Sequence, residues 1–299
     1  MLVYAYPGNE RCADGLAARL GARRGAADWH RFPDGETLVR IETSPAGERA
    51  CLVCTLVDPD PKILPLLFAA DTLRELGAAS VGLAAPYLAY MRQDARFHPG
   101  EALSARRFCG LLSGHFDWLA TVDPHLHRTK QLTEVFSGSA HVAHAAAPLA
   151  EWIRANLGKP FLVGPDGESA QWVSAVAEHA GLPWTSLVKE RLGDREVRVS
   201  LPQGGDWRGR MPVLVDDIIS SGQTLAAAAR SLQSLGFPAP ACVAVHGVFA
   251  EGARAALQAA GVARIAVTNT IPQPEAVIDV MPVLAEGIAG LSAGGDGTG

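Results

Sequence analysis

The stretch VLVDDIISSGQTL, residues 213–225, decides how this chain is interpreted. An apolar run reaches two adjacent carboxylates, Asp216 and Asp217, although like charges at neighbouring positions repel each other. Two more apolar residues follow, and then hydroxyl residues, a glycine and a glutamine lead into a run of alanines. This pattern predicts a strand that ends at the two acids and a helix that begins near Gln223.

The loop between the predicted strand and helix suits an anionic ligand. A helix N-terminus presents unpaired N–H groups and the positive end of the helix dipole. The hydroxyls of Ser220, Ser221 and Thr224 would add donors, and Gly222 would let the backbone approach a phosphate closely. The two carboxylates are poor phosphate ligands but would accept hydrogen bonds from a vicinal diol. An N-capped helix after a solvated acidic turn is the alternative, but the combination favours a sugar phosphate, with ribose 5-phosphate of the right size.

Composition limits the class of protein. The chain has 299 residues, of which 48% are hydrophobic and 19% charged, with a net charge of −5. These values indicate a globular protein of about two domains and a poor candidate for sequence-independent nucleic-acid binding. The N-terminus lacks a basic segment followed by a long apolar core, and five scattered cysteines favour reduced thiols. We therefore expect a cytoplasmic protein that associates with neither nucleic acid nor membrane.

Short apolar runs alternate with helix-like stretches almost throughout, which predicts an α/β protein with mostly parallel sheets. The chain divides near Ala145, so we expect domains at 1–145 and 146–291 and a flexible tail at 292–299. Ligands of open α/β sheets bind beyond the carboxyl ends of the strands. Besides the opening stretch, four predicted strand ends carry polar segments: 86–96, 123–128, 164–169 and 189–195.

Two of these segments carry cationic side chains that could bind the phosphate groups of a ligand. Arg92 and Arg96 flank an acid, an arrangement that suits a polyphosphate and a base edge, although a charged surface turn has the same composition. Lys189 and Arg191 are two residues apart and suit the charge that develops on phosphoryl oxygens in a transition state. A solvated charged hairpin is the alternative for that pair.

The other two segments carry possible metal ligands. Asp166 stands in a Gly-Pro-Asp-Gly turn at a strand end, where a carboxylate could serve a hard cation such as Mg²⁺. His125 and His127 have the spacing of a zinc pair, but no third ligand is evident nearby. A strand-end histidine is more often structural than a ligand.

Six motifs, in the same order along the chain, resemble those of ribose-phosphate pyrophosphokinases. The 216–224 loop resembles the phosphoribosyl-pyrophosphate loop of the type I phosphoribosyltransferase fold, which synthetases and transferases share. PYxxYxRQD followed by GExxSAR, and FPDGE at 32–36, resemble the two nucleotide-binding segments of the pyrophosphokinases. Neither a GxxxxGK[ST] loop nor a GxGxxG fingerprint is present. The resemblance implies an α/β fold of two type I phosphoribosyltransferase-like domains, each a mainly parallel sheet flanked by helices.

The resemblance also implies an enzyme that uses Mg²⁺ to transfer the pyrophosphoryl group of ATP to ribose 5-phosphate. It implies a homodimer or higher homo-oligomer with the ATP site near the subunit interface. The residues it assigns are as follows: for ribose 5-phosphate Asp216, Asp217, Ser220, Ser221, Gly222, Gln223 and Thr224; for ATP Phe32, Asp34, Glu36, Arg92, Gln93, Asp94 and Arg96; for the metal His125 and Asp166; and for transition-state stabilisation Lys189 and Arg191.

Some positions depart from the common family pattern. Many members have an acid where this chain has Ser220, and a glycine where it has Gln223 or Glu168. Two other functions remain open on the sequence. One is a phosphoribosyltransferase that acts on a nitrogenous base, and the other is a catalytically weak regulatory protein associated with a synthetase.

Overall fold

The computed structural model describes residues 1–96, 98–126, 129, 131–191, 197–200 and 207–293, with side chains at all of these except 188–191, 197–200 and 292–293. The chain forms two compact units. The first comprises Met1–His144 together with the C-terminal segment from Val280, and the second comprises Ala145–Asp279.

The first 144 residues supply eight strands and three α-helices within the described part of the chain. In chain order these are β1 (Leu2–Ala5), α1 (Glu10–Leu20), β2 (Arg23–Arg24), β3 (Ala27–Arg31), β4 (Thr37–Ile41), β5 (Arg49–Val53), α2 (Asp60–Glu75), β6 (Ser80–Ala85), α3 (Ser104–Ser113), β7 (Trp118–Val122), a 3₁₀ turn (Leu132–Glu134) and β8 (Ser139–Ala143).

The described strands of this unit form a parallel sheet in the order β2-β1-β5-β6-β7-β8. Strands β3 and β4 form a separate antiparallel hairpin. The central strands are buried on both faces, because helices cover the sheet on each side; every residue of β7 is buried. This burial explains why these strands are continuous apolar runs in the sequence.

The second unit supplies the next strands and helices. In chain order these are α4 (Ala146–Asn156), β9 (Pro160–Gly164), α5 (Ala170–Ala180), β10 (Trp184–Ser186), β11 (Val188–Arg191), β12 (Val197–Ser200), β13 (Met211–Ile219), α6 (Gln223–Ser234), β14 (Ala241–Gly247), α7 (Ala253–Ala259), β15 (Arg264–Thr268) and β16 (Ala276–Ile278).

Its described strands form a second parallel sheet in the order β10-β9-β13-β14-β15-β16, with β11 and β12 as an antiparallel hairpin. The two sheets have the same strand order. In each unit the hairpin also has the same place in the chain: β3 and β4 lie between β2 and β5, and β11 and β12 lie between β10 and β13. The predicted fold class, α/β with two mainly parallel sheets flanked by helices, is confirmed.

The last helix, α8 (Met281–Ala293), belongs to the first unit. We expected residues 280–291 in the second domain, but α8 packs on α1, β7 and β8. Gly287 lies against the ring of His141, where an added Cβ would be 2.0 Å from Cδ2. Residues 292 and 293 of the expected tail end this helix, and 294–299 lie outside the described residues. Among the residues that are described, no helix is both long and apolar enough to span a membrane.

Candidate active site

The strand that carries the two acids is longer than predicted. We expected it to end at Asp216 and Asp217, but β13 continues through both of them to Ile219. The reason is the neighbouring strand: Asp216 pairs with Ala244, and Ile218 pairs with His246 of β14. The helix after the loop begins at Gln223, as predicted. The loop itself is therefore reduced to residues 220–222, directly at the carboxyl edge of the sheet.

The acids form an electrostatically unfavourable cluster. Burial, together with the smaller effects of the charges of Asp217 and Asp166, raises the pKa of Asp216 to about 8. Asp217 is itself buried, and its backbone N–H donates to Oδ1 of Asp216 at 3.1 Å. In the protein without ligands, Asp216 thus holds its proton near neutral pH. A cation or hydroxyl donors placed at this edge would stabilise the charged form.

The loop presents donors at an open helix N-terminus. Gly222 is the N-cap residue of α6 with φ of 72° and has no side chain to cap the helix, while Oγ of Ser221 accepts the N–H of Gln223 at 3.5 Å. An added Cβ there would lie 3.2 Å from the Ala253 carbonyl oxygen, so both the backbone conformation and the tight space favour glycine. Ser221, Gln223 and Thr224 are exposed. The first-turn N–H groups and these side chains are placed to meet an anion.

Asp166 follows β9 at the same edge of the sheet, in the turn that leads into α5. Its Oδ1 accepts the N–H of Ser169 at 3.1 Å, and the Ser169 hydroxyl donates to the Asp166 carbonyl at 2.7 Å. Gly164 precedes the turn, and a Cβ there would lie 2.7 Å from the hydroxyls of Ser169 and Ser186. Asp166 is half-buried and held in one orientation, with its charge felt by Asp216.

The two predicted cations of the second unit lie on its hairpin. The backbones of Lys189 and Arg191 belong to β11 and pair with Val199 and Val197 of β12. Residues 192–196 and 201–206 lie outside the described residues, as do the side chains of both cations.

The FPDGE motif forms the turn of the hairpin in the first unit. The N–H of Phe32 donates to the carbonyl of Glu36 at 2.8 Å, and the N–H of Glu36 donates to Oδ1 of Asp34 at 3.1 Å. All three residues are exposed, and Phe32 as a whole residue is 40% exposed. The turn therefore presents an aromatic face to solvent beside two carboxylates.

The RQD motif follows β6. Tyr90 has φ of 66°, and its carbonyl accepts the N–H of Gln93 at 2.9 Å. The Gln93 carbonyl in turn accepts the N–H of Ala105 in α3 at 3.2 Å, so the motif is fixed to a helix. Arg92, Gln93 and Arg96 are exposed, while Asp94 is half-buried.

The strand end at β7 contains a pair that the sequence did not reveal. Asp123 is 4% exposed with φ of 31°, and its Oδ1 contacts Nδ1 of His144 at 2.8 Å. This contact raises the pKa of His144. The sequence offered one indication of this pair: β7 and β8 are neighbouring parallel strands, so the residues that follow them, Asp123 and His144, lie at the same edge of the sheet. His125, two residues after Asp123, is half-buried.

Among the described residues, no group of three or more His, Cys, Asp or Glu side chains is arranged to hold a metal ion. His127, the other half of the imagined zinc pair, lies outside them. Magnesium does not need such a cage, because it usually binds one or two carboxylates together with water and substrate phosphates.

Comparison with known proteins covers both units. Residues 1–114 match the family model described as the N-terminal domain of ribose phosphate pyrophosphokinase, and residues 191–290 match the phosphoribosyl synthetase-associated domain. The chain is 37% identical to the ribose-phosphate pyrophosphokinase of Thermococcus kodakarensis, over 88% of this chain and 92% of that one. It is 33% identical to that of Methanopyrus kandleri, over 98% and 100%.

A solved structure agrees with these relatives. The phosphoribosylpyrophosphate synthetase from Mycobacterium smegmatis matches with a TM-score of 0.83 and 26% identity, over 98% of this chain and 99% of that one. The match extends across both units, and the sequence-based expectation of the family is confirmed. The chain belongs to the ribose-phosphate pyrophosphokinase family.

Proposed function

We propose that this chain transfers the terminal pyrophosphoryl unit of ATP to the anomeric hydroxyl of ribose 5-phosphate, giving phosphoribosyl pyrophosphate and AMP. The observation that carries the proposal is the edge of the second sheet. There a helix N-terminus that lacks an N-cap side chain, with exposed hydroxyl and amide donors, follows the half-buried Asp216 and the buried Asp217. Family membership alone would not require that these particular residues are suitably arranged.

The acceptor half of the reaction uses residues 216–224. The first turn of α6 and the hydroxyls of Ser221 and Thr224 bind the 5-phosphate, because unpaired N–H groups and a helix dipole favour an anion. Asp216 and Asp217 accept hydrogen bonds from the ribose hydroxyls. Such donors favour the charged carboxylate, so sugar binding is expected to lower the pKa of Asp216 from about 8.

The donor half uses the two exposed motifs of the first unit. Phe32 offers a face on which a purine can stack, and the carboxylates of Asp34 and Glu36 can accept from an exocyclic amine. Arg92 and Arg96 are exposed cations suited to the phosphates. We propose, as the family resemblance implies, that the Phe32 turn serves a neighbouring subunit in a homo-oligomer.

The transfer itself needs positioning more than covalent chemistry. The anomeric oxygen forms a bond to the β-phosphorus while the bond to the oxygen shared with the α-phosphorus breaks, AMP leaves, and the hydroxyl proton is released. Lys189 and Arg191 stabilise the charge that develops on the transferring group. No enzyme-bound covalent intermediate is required.

Magnesium fits the carboxylates at the carboxyl edge of the second sheet. Carboxylate oxygen is the ligand type that Mg²⁺ prefers, and a cation would relieve the repulsion among Asp166, Asp216 and Asp217. Asp166 is the proposed ligand in the second unit and His125 in the first. A bound ion would neutralise phosphate charge and orient the phosphate oxygens.

The test is AMP formation in purified protein with ATP and Mg²⁺, with and without ribose 5-phosphate. We expect AMP only when the sugar phosphate is present. Thr224→Ala should raise the KM for ribose 5-phosphate, whereas Ser234→Ala, at the other end of α6, should not. Nucleotide binding without AMP formation would favour a regulatory protein. Turnover of phosphoribosyl pyrophosphate with a free base would favour a phosphoribosyltransferase.

A further inference from the structure

The turn between β14 and α7 donates backbone hydrogen bonds to the loop proposed for ribose 5-phosphate. The N–H groups of Val248 and Phe249 both donate to the carbonyl of Ile219 at 2.9 Å. The N–H of Ala250 donates to the carbonyl of Ser220 at 3.0 Å. Three successive donors therefore fix the two carbonyls at the base of the loop.

These bonds also orient the donors of the loop. In a trans peptide the C=O and the following N–H point in opposite directions, and the chain has no cis peptide among its described residues. With the carbonyls of Ile219 and Ser220 directed at the turn, the N–H groups of Ser220 and Ser221 point away from it. The turn thus determines which way the loop presents its N–H groups.

The turn has a conformation that requires support. Phe249 is buried and has φ of 44°, although it is not glycine. A left-handed conformation is unfavourable at a residue with a side chain, because the Cβ approaches the following carbonyl oxygen. Gly247 before it has no room for a side chain, because a Cβ would lie 2.4 Å from Nε2 of Gln273 and 2.5 Å from Cε2 of Phe249.

The support comes from Arg254 and two residues after β15. The guanidinium of Arg254 lies 4.2 Å from the centre of the Phe249 ring. Its Nε and Nη2 donate to the two carboxylate oxygens of Glu275 at 2.7 and 3.0 Å, and Nη2 also donates to Oε1 of Gln273 at 3.0 Å. Gln273 completes the network by donating to the carbonyl of Gly247 at 2.7 Å. A bidentate guanidinium held at both ends is a rigid support for the ring.

We propose that Phe249 and Arg254 are positioning residues for ribose 5-phosphate. Neither residue is required to touch the ligand: Arg254 fixes the ring of Phe249, the ring fixes the turn, and the turn fixes the loop carbonyls. The inference rests on the proposed function of residues 216–224 as the sugar-phosphate site. The same contacts would also stabilise the fold, so the test must separate positioning from stability.

The chain supplies a matched control for this purpose. Arg264 stacks on the ring of Trp152 at 4.6 Å, in the same unit but at the amino end of β15, away from the ligand edge. Arg254→Ala and Arg264→Ala each remove an exposed arginine stacked on an aromatic ring. Phe249→Tyr keeps the ring under the guanidinium, whereas Phe249→Leu removes it.

The experiment measures the Kd of ribose 5-phosphate by calorimetry, and the KM of each substrate where turnover is present. Arg254→Ala and Phe249→Leu should weaken ribose 5-phosphate binding by about ten-fold, because small misplacements of binding groups are costly. The KM for ATP should stay unchanged. Arg264→Ala should alter thermal stability without altering ribose 5-phosphate affinity, and Phe249→Tyr should bind like the wild type.

The outcomes distinguish this inference from the proposed function. Equal ribose 5-phosphate affinity in wild type and Arg254→Ala, or equal weakening in Arg264→Ala, would overturn the positioning role. A wild type that does not bind ribose 5-phosphate would overturn both proposals. A wild type that binds it but forms no AMP would overturn only the proposed reaction, since the Kd comparison still tests the positioning residues.

Discussion

The two units have the same strand order but differ in the loops that follow corresponding strands. After β13 the chain forms residues 220–222 and enters α6 through Gly222, with exposed hydroxyl and amide groups in the first turn. The strand with the same place in the first sheet is β5, and the helix after it, α2, begins with Asp60 followed by a proline. An acid repels an anion, and proline lacks an N–H, so this helix end does not suit a phosphate.

The lysine at the start of α2, Lys62, already donates its hydrogen bonds to the backbone of the preceding loop. Lys62 donates from Nζ to the carbonyls of Thr55, at 3.0 Å, and Val57. Asp60 accepts from the hydroxyl of Tyr90. The polar groups of this loop therefore bind one another, whereas the side chains of Ser221, Gln223 and Thr224 are exposed. A shared topology thus leaves function to a few residues at one strand end.

The largest effect is expected from a residue on one of the two hairpins, which the units use differently. Lys189 lies on the hairpin of the second unit, and the hairpin of the first unit ends in the Phe32 turn. Lys189→Ala should lower kcat by about 10²–10³-fold, the size typical of removing one preorganised charge from a transition state. The KM for ATP should change little, because the interaction forms only during transfer. Steady-state kinetics with both substrates measures this.

Lys159→Ala serves as the control, since this exposed lysine lies before β9, at the amino edge of the parallel sheet of the second unit. It should retain wild-type kcat. A large rise in the KM for ATP in Lys189→Ala, with kcat retained, would instead make Lys189 part of the nucleotide-binding half.

The glycine at the start of α6 gives the next largest effect. Gly222→Ala would add a Cβ 3.2 Å from both the Ala253 carbonyl oxygen and Cγ of Leu257, at φ of 72°. We expect roughly 1–3 kcal/mol lower stability from strain and crowding, together with a higher KM for ribose 5-phosphate. Denaturant unfolding and kinetics measure the two effects.

Gly47 of the first unit has the same φ, 72°, but no atom within 4 Å of an added Cβ. Gly47→Ala should therefore show backbone strain alone, about 1 kcal/mol, with unchanged kinetics. If Gly222→Ala were no more destabilising than Gly47→Ala, the close approach to α7 would be unimportant.

The raised pKa of Asp216 predicts a pH-dependent conflict between stability and function. Its pKa is raised from 3.8 to about 8, mainly by burial. The folded state therefore binds more protons than the unfolded state between these values, and stability falls as the pH rises through them. Asp216→Asn should be more stable than wild type at pH 9, by roughly 0.5–2 kcal/mol, and the gain should shrink toward pH 4.

Urea unfolding at several pH values, without ligands, measures this gain. The same variant should bind ribose 5-phosphate more weakly. The corresponding strand end in the first unit is Val53 followed by Cys54, both buried and apolar, so no comparable effect is expected from it. A gain of stability that is independent of pH would contradict the raised pKa.

Sequence patterns predicted what depends on neighbours along the chain. Apolar runs that alternate with helix-like stretches correctly predicted the two parallel sheets, and the SSGQT segment correctly predicted the start of α6. The end of β13 was predicted too early, because its pairing with β14 carries the strand past the acids. Asp123–His144 and Arg254–Glu275 were missed, since each pair joins residues that are 21 apart in sequence. The packing of α8 on the first unit, through Gly287 and His141, likewise depends on contacts that no local pattern encodes.

The Asp123–His144 pair should give the smallest effect. Its hydrogen bond raises the pKa of His144 above 6.5, so the stabilisation is complete below that pH and is lost as the pH rises through the raised pKa. His144→Gln should cost less than about 1 kcal/mol below pH 6, because the ring is exposed, and nothing at pH 9. His115 contacts Asp71 at 2.9 Å near the amino end of β7, the opposite edge of the same sheet. His115→Gln should leave the KM for ATP unchanged, whereas His144→Gln should raise it if Asp123 fixes the backbone that leads to His125. An equal KM in both variants would mean that the pair stabilises the strand ends without positioning the proposed metal ligand.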